Sequence, residues 1–179
     1  GHTLEGIPYS YLADDDAPDG NTRVASSYRL TSNRVEFEVS YYEPSRTLVI
    51  DPWSTYYGGS DDDFINRIRT DSRNAVIVSG YTRSHDFPVF NAWQDTCSMH
   101  DDVYILKFDS TGVLNWATFF GGQASDYGRS CAVDSANDIL ICGNTWSSDL
   151  PVDSTAFQNR LKGETAGFMA KFDSSGLRL

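Results

Sequence analysis

Positive charge is scarce in this chain. Across 179 residues, 14 Lys and Arg stand against 25 Asp and Glu, a formal net charge of −11. Tracking a phosphate backbone needs clustered Lys and Arg, so the balance argues against nucleic acid as a partner. It argues equally against docking on an anionic membrane. Long hydrophobic runs are missing too. No stretch approaches the length of a spanning helix, and no basic start leads into an apolar segment, so membrane insertion is not expected. Cysteine is rare and odd in number: Cys97, Cys131 and Cys142. Three thiols cannot form a fully paired framework within one chain. Cys131 and Cys142 flank a predicted hairpin and would point to opposite faces of its sheet, so buried free thiols are expected. Histidine occurs only at positions 2, 85 and 100, without the spacing of a zinc or catalytic site. His85 lies in Ser84-His85-Asp86, but neighbours in one loop rarely make a triad. No catalytic residue is expected.

What the chain does have is a repeat. Trp53-Ser-Thr-Tyr-Tyr-Gly-Gly59 returns as Trp116-Ala-Thr-Phe-Phe-Gly-Gly122, an offset of 63 residues. Asp71–Asn74 matches Asp134–Asn137, and Ser84–Pro88 matches Ser147–Pro151. Lys107–Gly112 matches Lys171–Gly176 at an offset of 64, which places one inserted residue just after Pro151. A unit that cannot bury its own faces stacks on its neighbours, and this sets the architecture class.

One turn is used four times: Asp71-Ser-Arg-Asn74, Asp109-Ser-Thr-Gly112, Asp134-Ser-Ala-Asn137 and Asp173-Ser-Ser-Gly176. Asp and Ser bond back to the following backbone N–H groups, and the fourth residue takes a left-handed backbone that Gly and Asn tolerate. This predicts tight hairpins with a bulge and makes the four aspartates turn hardware. Between them lie short apolar runs such as Ala75–Gly80, Val103–Phe108, Val113–Phe120, Asp138–Gly143 and Phe168–Phe172. All five read as strands; Ala75–Gly80 and Asp138–Gly143 are β-branched, too short for helices and apolar on both parities, so both of their faces should be covered. Each repeat then holds about four antiparallel strands, the pattern of a β-propeller blade. Gly58-Gly59 and Gly121-Gly122 are expected to turn the chain sharply from blade to blade. Residues 1–52 do not repeat. Val35–Tyr41 alternates as a half-buried strand.

The repeats resemble the bacterial SBBP (seven-bladed β-propeller) repeat. The matching residues are Trp53–Ser60, Asp71–Asn74, Val76–Thr82, Ser84–Pro88 and Lys107–Gly112, and again Trp116 to Gly176. Residues about 8–52 look like the end of the β-rich domain that often precedes such repeats, through Asp19-Gly20, Tyr28–Leu30, Val35–Phe37 and Leu48–Pro52. The resemblance implies a secreted or cell-surface bacterial protein and no defined activity. Two repeats alone do not close a propeller.

The expected fold is therefore all-β: a partial propeller of about two four-stranded antiparallel blades behind a small N-terminal β module. The expected divisions are 1–52, with Gly1-His2 read as a tag remnant, then 53–115, then a truncated 116–179. Asp61, Asp62 and Asp63, with the acidic loop Asp14–Gly20, are weak calcium candidates; no other cofactor is expected. Arg83 and Asp86, with Trp146 and Asp149 one repeat later, lie on rim loops placed to bind a protein or a glycan. The primary reading is a non-catalytic interaction module. An oligomeric lectin binding sugars between blades and a fragment of a propeller hydrolase are the alternatives. Open blade edges invite association of identical chains.

Overall fold

In a computed structural model the described residues are 9–13, 22–31, 34–51 and 55–179. The chain divides into two compact units, Gly1–Ser54 and Thr55–Leu179. The acidic loop Asp14–Gly20 and both Pro52 and Trp53 lie outside the described residues.

In the first unit, β1 (Tyr9–Ala13) pairs antiparallel with both β2 (Thr22–Val24) and β5 (Thr47–Asp51). A separate hairpin joins β3 (Ser26–Thr31) to β4 (Arg34–Val39), where the alternating run at 35–41 predicts a strand. Leu12 and Val24 are buried, and the Ser10 hydroxyl donates to that of Ser26 at 2.7 Å.

The second unit holds the repeats. The first sheet runs in the order β6 (Asp63–Thr70), β7 (Val76–Thr82), β8 (Asp102–Phe108), β9 (Leu114–Phe120), all antiparallel. The second runs β10 (Asp126–Val133), β11 (Ile139–Thr145), β12 (Ala166–Phe172). A bridge from Phe172 to Arg178 starts a fourth pairing, one repeat after the pairing of Phe108 with Leu114. The description is all-β among the described residues, a partial propeller whose two sheets share one blade plan.

The four turns form as the sequence predicts. Asn74 and Asn137 have φ of 59° and 66°, and Gly112 and Gly176 have φ of 87° and 90°. In each, the aspartate Oδ1 accepts from backbone N–H groups two and four residues on, as Asp71 does from Arg73 and Ala75 at 2.8 and 3.0 Å. Gly176 has a second reason to be glycine: a Cβ there would stand 2.7 Å from the Trp116 ring.

The core lies between the two sheets. Ile77, Val103 and Ile105 of the first face Cys131, Ile139, Ile141, Phe168 and Phe172 of the second, with Trp116, Phe120 and Leu150 closing the cluster. Phe120 sits edge-on to Phe172 at 5.8 Å, and one repeat earlier Tyr57 sits edge-on to Phe108 at the same distance. Burial of these rings supplies the largest apolar areas available to the fold.

Two expectations are corrected here. β11 is not covered on both faces: Ile139 and Ile141 are buried, while Leu140 and Cys142 on the alternate face are exposed. The thiols are not all buried either. Cys131 is buried, Cys97 half-buried and Cys142 exposed. Cys131 and Cys142 do point to opposite faces, because Cys131 stands opposite Ile141 in the register and Cys142 opposite Ser130.

Candidate functional site

The rim of the repeat unit is built from the segment around each Gly-Gly pair and the loop that leaves the second strand of each sheet. Asp63 Oδ2 accepts from Gly59 N–H at 2.8 Å and from the Ser84 hydroxyl at 3.1 Å, and its other oxygen accepts from the Thr82 hydroxyl. One repeat later, Asp126 Oδ2 accepts from Gly122 N–H and from the Ser147 hydroxyl, both at 2.8 Å. Asp86 Oδ1 accepts from Ser60 N–H at 2.8 Å, and Asp149 Oδ1 from Gln123 N–H at 3.0 Å. The Ser84 and Ser147 hydroxyls each accept from a backbone N–H, of Asp61 and Ala124, at 2.9 Å.

This tether decides the role of the paired glycines. None of Gly58, Gly59, Gly121 or Gly122 has a positive φ. A Cβ on them would instead meet Asp63, Asp86, Asp102 and Asp149 oxygens at 2.3, 2.4, 1.9 and 2.5 Å. The glycines let carboxylates reach the backbone; the expected sharp turn is not what selects them.

The calcium candidates are accounted for by the same geometry. Asp63 is bound into the tether. Asp61 Oδ1 accepts from Asp62 N–H at 2.7 Å, and Asp62 Oδ2 pairs with Arg83 Nη1 at 3.2 Å. The three carboxylates thus have separate partners, and among the described residues no group of three His, Cys, Asp or Glu gathers as a metal cage. Of the rim candidates, Asp86 and Asp149 are tether residues. Arg83 and Trp146 are not.

Arg83 and Trp146 occupy one repeat position and stand at either side of an aromatic file. Phe64 stacks on Tyr81 at 4.7 Å and 16°. Tyr81 meets Tyr127 edge-on at 4.7 Å, and Tyr127 meets Trp146 edge-on at 5.5 Å. The file therefore crosses from the first sheet to the second. Arg83 lies over Phe64 at 6.0 Å, and Arg129 over Tyr127 at 4.9 Å. Phe64 and Trp146 are exposed, Trp146 at 42%. The sequence names Arg83 and Trp146 as rim-loop candidates. It does not single out Phe64, Tyr81, Tyr127 and Arg129, because their convergence depends on how the two sheets pack.

Asp101 joins the file to the rim. Its Oδ1 accepts from Arg83 Nε at 2.8 Å and its Oδ2 from the Tyr127 hydroxyl at 2.9 Å. Hydrogen bonding to Asp101 raises the Arg83 pKa, and burial followed by the Asp101 hydrogen bond raises that of Tyr127. Next to Asp101, Asp102 is buried, with one oxygen accepting from Ser98 N–H and the other without a partner. Burial first, with Asp126 and Asp101 adding repulsion, pushes its pKa up to about 6.

Arg129 sits on a bulge. The β10–β11 register skips it between Gly128 and Ser130, as the β6–β7 register skips Asn66 between Ile65 and Arg67. A bulge re-aims one side chain. Asn66 Nδ2 donates to Gly128 O of the second sheet at 2.6 Å, and Arg129 Nε donates to Asn144 Oδ1 at 3.2 Å. The Cys97 thiol lies 3.5 Å from His85 Nδ1, but burial, with the Asp102 charge, raises its pKa, the opposite of thiolate activation.

Residues 115–151 match the family model described as a β-propeller repeat, SBBP. Residues 1–53 match one described as a domain of unknown function, DUF7948. Among curated proteins, the chain is similar to an uncharacterized WD repeat-containing protein of Acanthamoeba polyphaga mimivirus, 24% identical over 121 residues. That match takes in 58% of this chain and 9% of the relative. The second repeat is thus a β-propeller repeat of the SBBP type, and the fold it implies is the one described above.

Proposed function

We propose that this chain is a non-catalytic interaction module of a secreted or cell-surface bacterial protein, and that it binds its partner through the rim that carries Arg83 and Trp146. The observation that carries the reading is the aromatic file. It brings Trp, Tyr and Arg together on an exposed surface, the side chains that dominate binding hot spots. The tether beneath holds the loops through backbone N–H groups, so little ordering entropy is lost on binding. The match to a β-propeller repeat and the WD-repeat relative support an interaction scaffold. The resemblance to SBBP proteins and the net charge of −11 support an exported setting.

The test is retention. The immobilised chain and its Arg83→Ala/Trp146→Ala variant are offered a bacterial culture supernatant and solubilised cell envelope. The expected outcome is a defined set of macromolecules held by the parent chain and lost from an equally folded variant. Equal retention by both chains would sink the reading. So would turnover of simple ester or glycoside substrates above the buffer rate.

A further inference from the structure

We propose that the aromatic file is a platform for a neutral saccharide, with Trp146 as the stacking surface and Arg129 with Asn144 as the pair that reads hydroxyl groups. This rests on the interaction reading above and names its ligand class.

The two repeats mark the platform. Positions that hold the rim together keep their chemistry from one repeat to the next: Asp63 and Asp126, Thr82 and Thr145, Ser84 and Ser147, Asp86 and Asp149. The platform positions change. Phe64 becomes Tyr127, Asn66 becomes Arg129, Tyr81 becomes Asn144 and Arg83 becomes Trp146. The changed positions nonetheless meet in space, because the file crosses between sheets. On this rim the side chains that bind the backbone are the same in both copies, and the side chains of the file and its flanks are not. The convergent differences are what a site built once, from two unlike copies, looks like.

Charge selects the ligand class. A chain at −11 repels a polyanion at long range, which disfavours acidic polysaccharides and acidic peptides. Near the file the charges offset one another. Arg83 is held by Asp101 and Asp62, so its cation is already answered. Arg129 pairs with an amide oxygen and an aromatic face, and among the described residues no carboxylate forms a salt bridge with it. A neutral ligand with many hydroxyls fits such a surface, since each hydroxyl both donates and accepts. The Arg129 guanidinium keeps donors beyond the Nε–H used on Asn144, and the Asn144 amide keeps its NH2. Beside them Trp146 offers an exposed indole. Its negative face attracts the C–H groups along one side of a pyranose ring.

The experiment is calorimetric titration of the intact chain with four probes: neutral hexasaccharides of glucose, of mannose and of galactose, and a hexamer of galacturonate. The expected result is binding of at least one neutral probe, weakened at least tenfold by Trp146→Ala and by Arg129→Met. Trp146→Phe, which keeps an aromatic face, should restore most of the affinity. Far-ultraviolet dichroism and melting should match the parent in all three variants. No binding by any neutral probe overturns the proposal, as does neutral binding that ignores Trp146. Binding of the galacturonate hexamer alone, still dependent on Trp146, also overturns it, yet leaves the interaction reading standing. Proteins retained through the rim, with no saccharide bound, have the same meaning.

Discussion

The two sheets share one plan and differ in what lies against them. In the first, Ile105 is wholly buried under the second sheet; its repeat counterpart Met169 is 87% exposed. Trp93 packs on Phe120 and Phe172 with Arg178 over its ring, while its counterpart Phe157 is fully exposed. Gln94 clasps β9, with bonds to Thr118 and to the N–H groups of Phe119 and Gly121. Lys107 is buried, 2.9 Å from Asp71, and donates to the Ser174 carbonyl in the turn after β12, where Trp116 also donates. Lys171 is partly exposed between Asp134 and Asp138. Equal sequence positions thus carry unequal energetic weight. The repeat encodes the strand and the turn; the neighbouring sheet decides what each side chain contributes.

Paired substitutions put this contrast to the test. Ile105→Asp buries an unpaired charge between the sheets and is expected to abolish folding of the repeat unit, at a cost of several kcal/mol. Met169→Asp, at the same repeat position, should change stability by less than about 0.5 kcal/mol, as exposed substitutions do. Urea unfolding of both variants checks this. A soluble, cooperatively melting Ile105→Asp chain would break the comparison.

The lysines give the next step down. Lys107→Met strands Asp71 in the core, with a cost of about 3–5 kcal/mol for removing one partner of a buried pair. The Asp71 pKa shows how strongly the pair is held. Burial alone would raise it, yet Lys107 and the N–H groups of Arg73 and Ala75 lower it. Lys171→Met removes a more exposed cation and should cost about 1 kcal/mol or less. Equal losses in the two variants would mean that the neighbouring sheet adds nothing to the first pair.

The same contrast explains what the sequence could disclose. Turns and strand positions were legible because their causes are local. The Asp-Ser-x-Asn/Gly turns need only their own residues, and the left-handed Asn74 and Asn137 could be read directly. The tether was half legible. Asp63 and Asp86 stood out as acidic residues, but their purpose appears only when Gly58 and Gly59 approach them. Coverage was not legible. Nothing in Asp138–Gly143 distinguishes its alternating burial from the nearly continuous burial of Ala75–Gly80, where Val76 alone is half-buried, because that difference belongs to the partner surface. The aromatic file was hidden for a related reason: Tyr81 and Tyr127 are 46 positions apart and meet only across the junction.

Asp102 sharpens the comparison at a single junction. It lies where the second repeat has Ala166, so only the first sheet carries this buried carboxyl. Its pKa rises from 3.8 to about 6, through burial first and then repulsion from Asp126 and Asp101; among the described residues the only cation paired to this group of acids is Arg83, on Asp101. A raised folded-state pKa means that the native chain holds the proton more tightly than the unfolded one. Stability should therefore be highest below pH 4, so far as this group is concerned, fall between about pH 4 and 6, and stay level above. The loss across that window is about 3 kcal/mol at most. Asp102→Asn keeps an oxygen for the Ser98 N–H and removes the charge. Urea midpoints at pH 4.5 and 7 should converge in the variant relative to the parent, with the gain confined to pH 7. A variant that loses stability equally at both values would show that the carboxyl is wanted ionised, and that the junction between the sheets tolerates a charge that its neighbours do not answer.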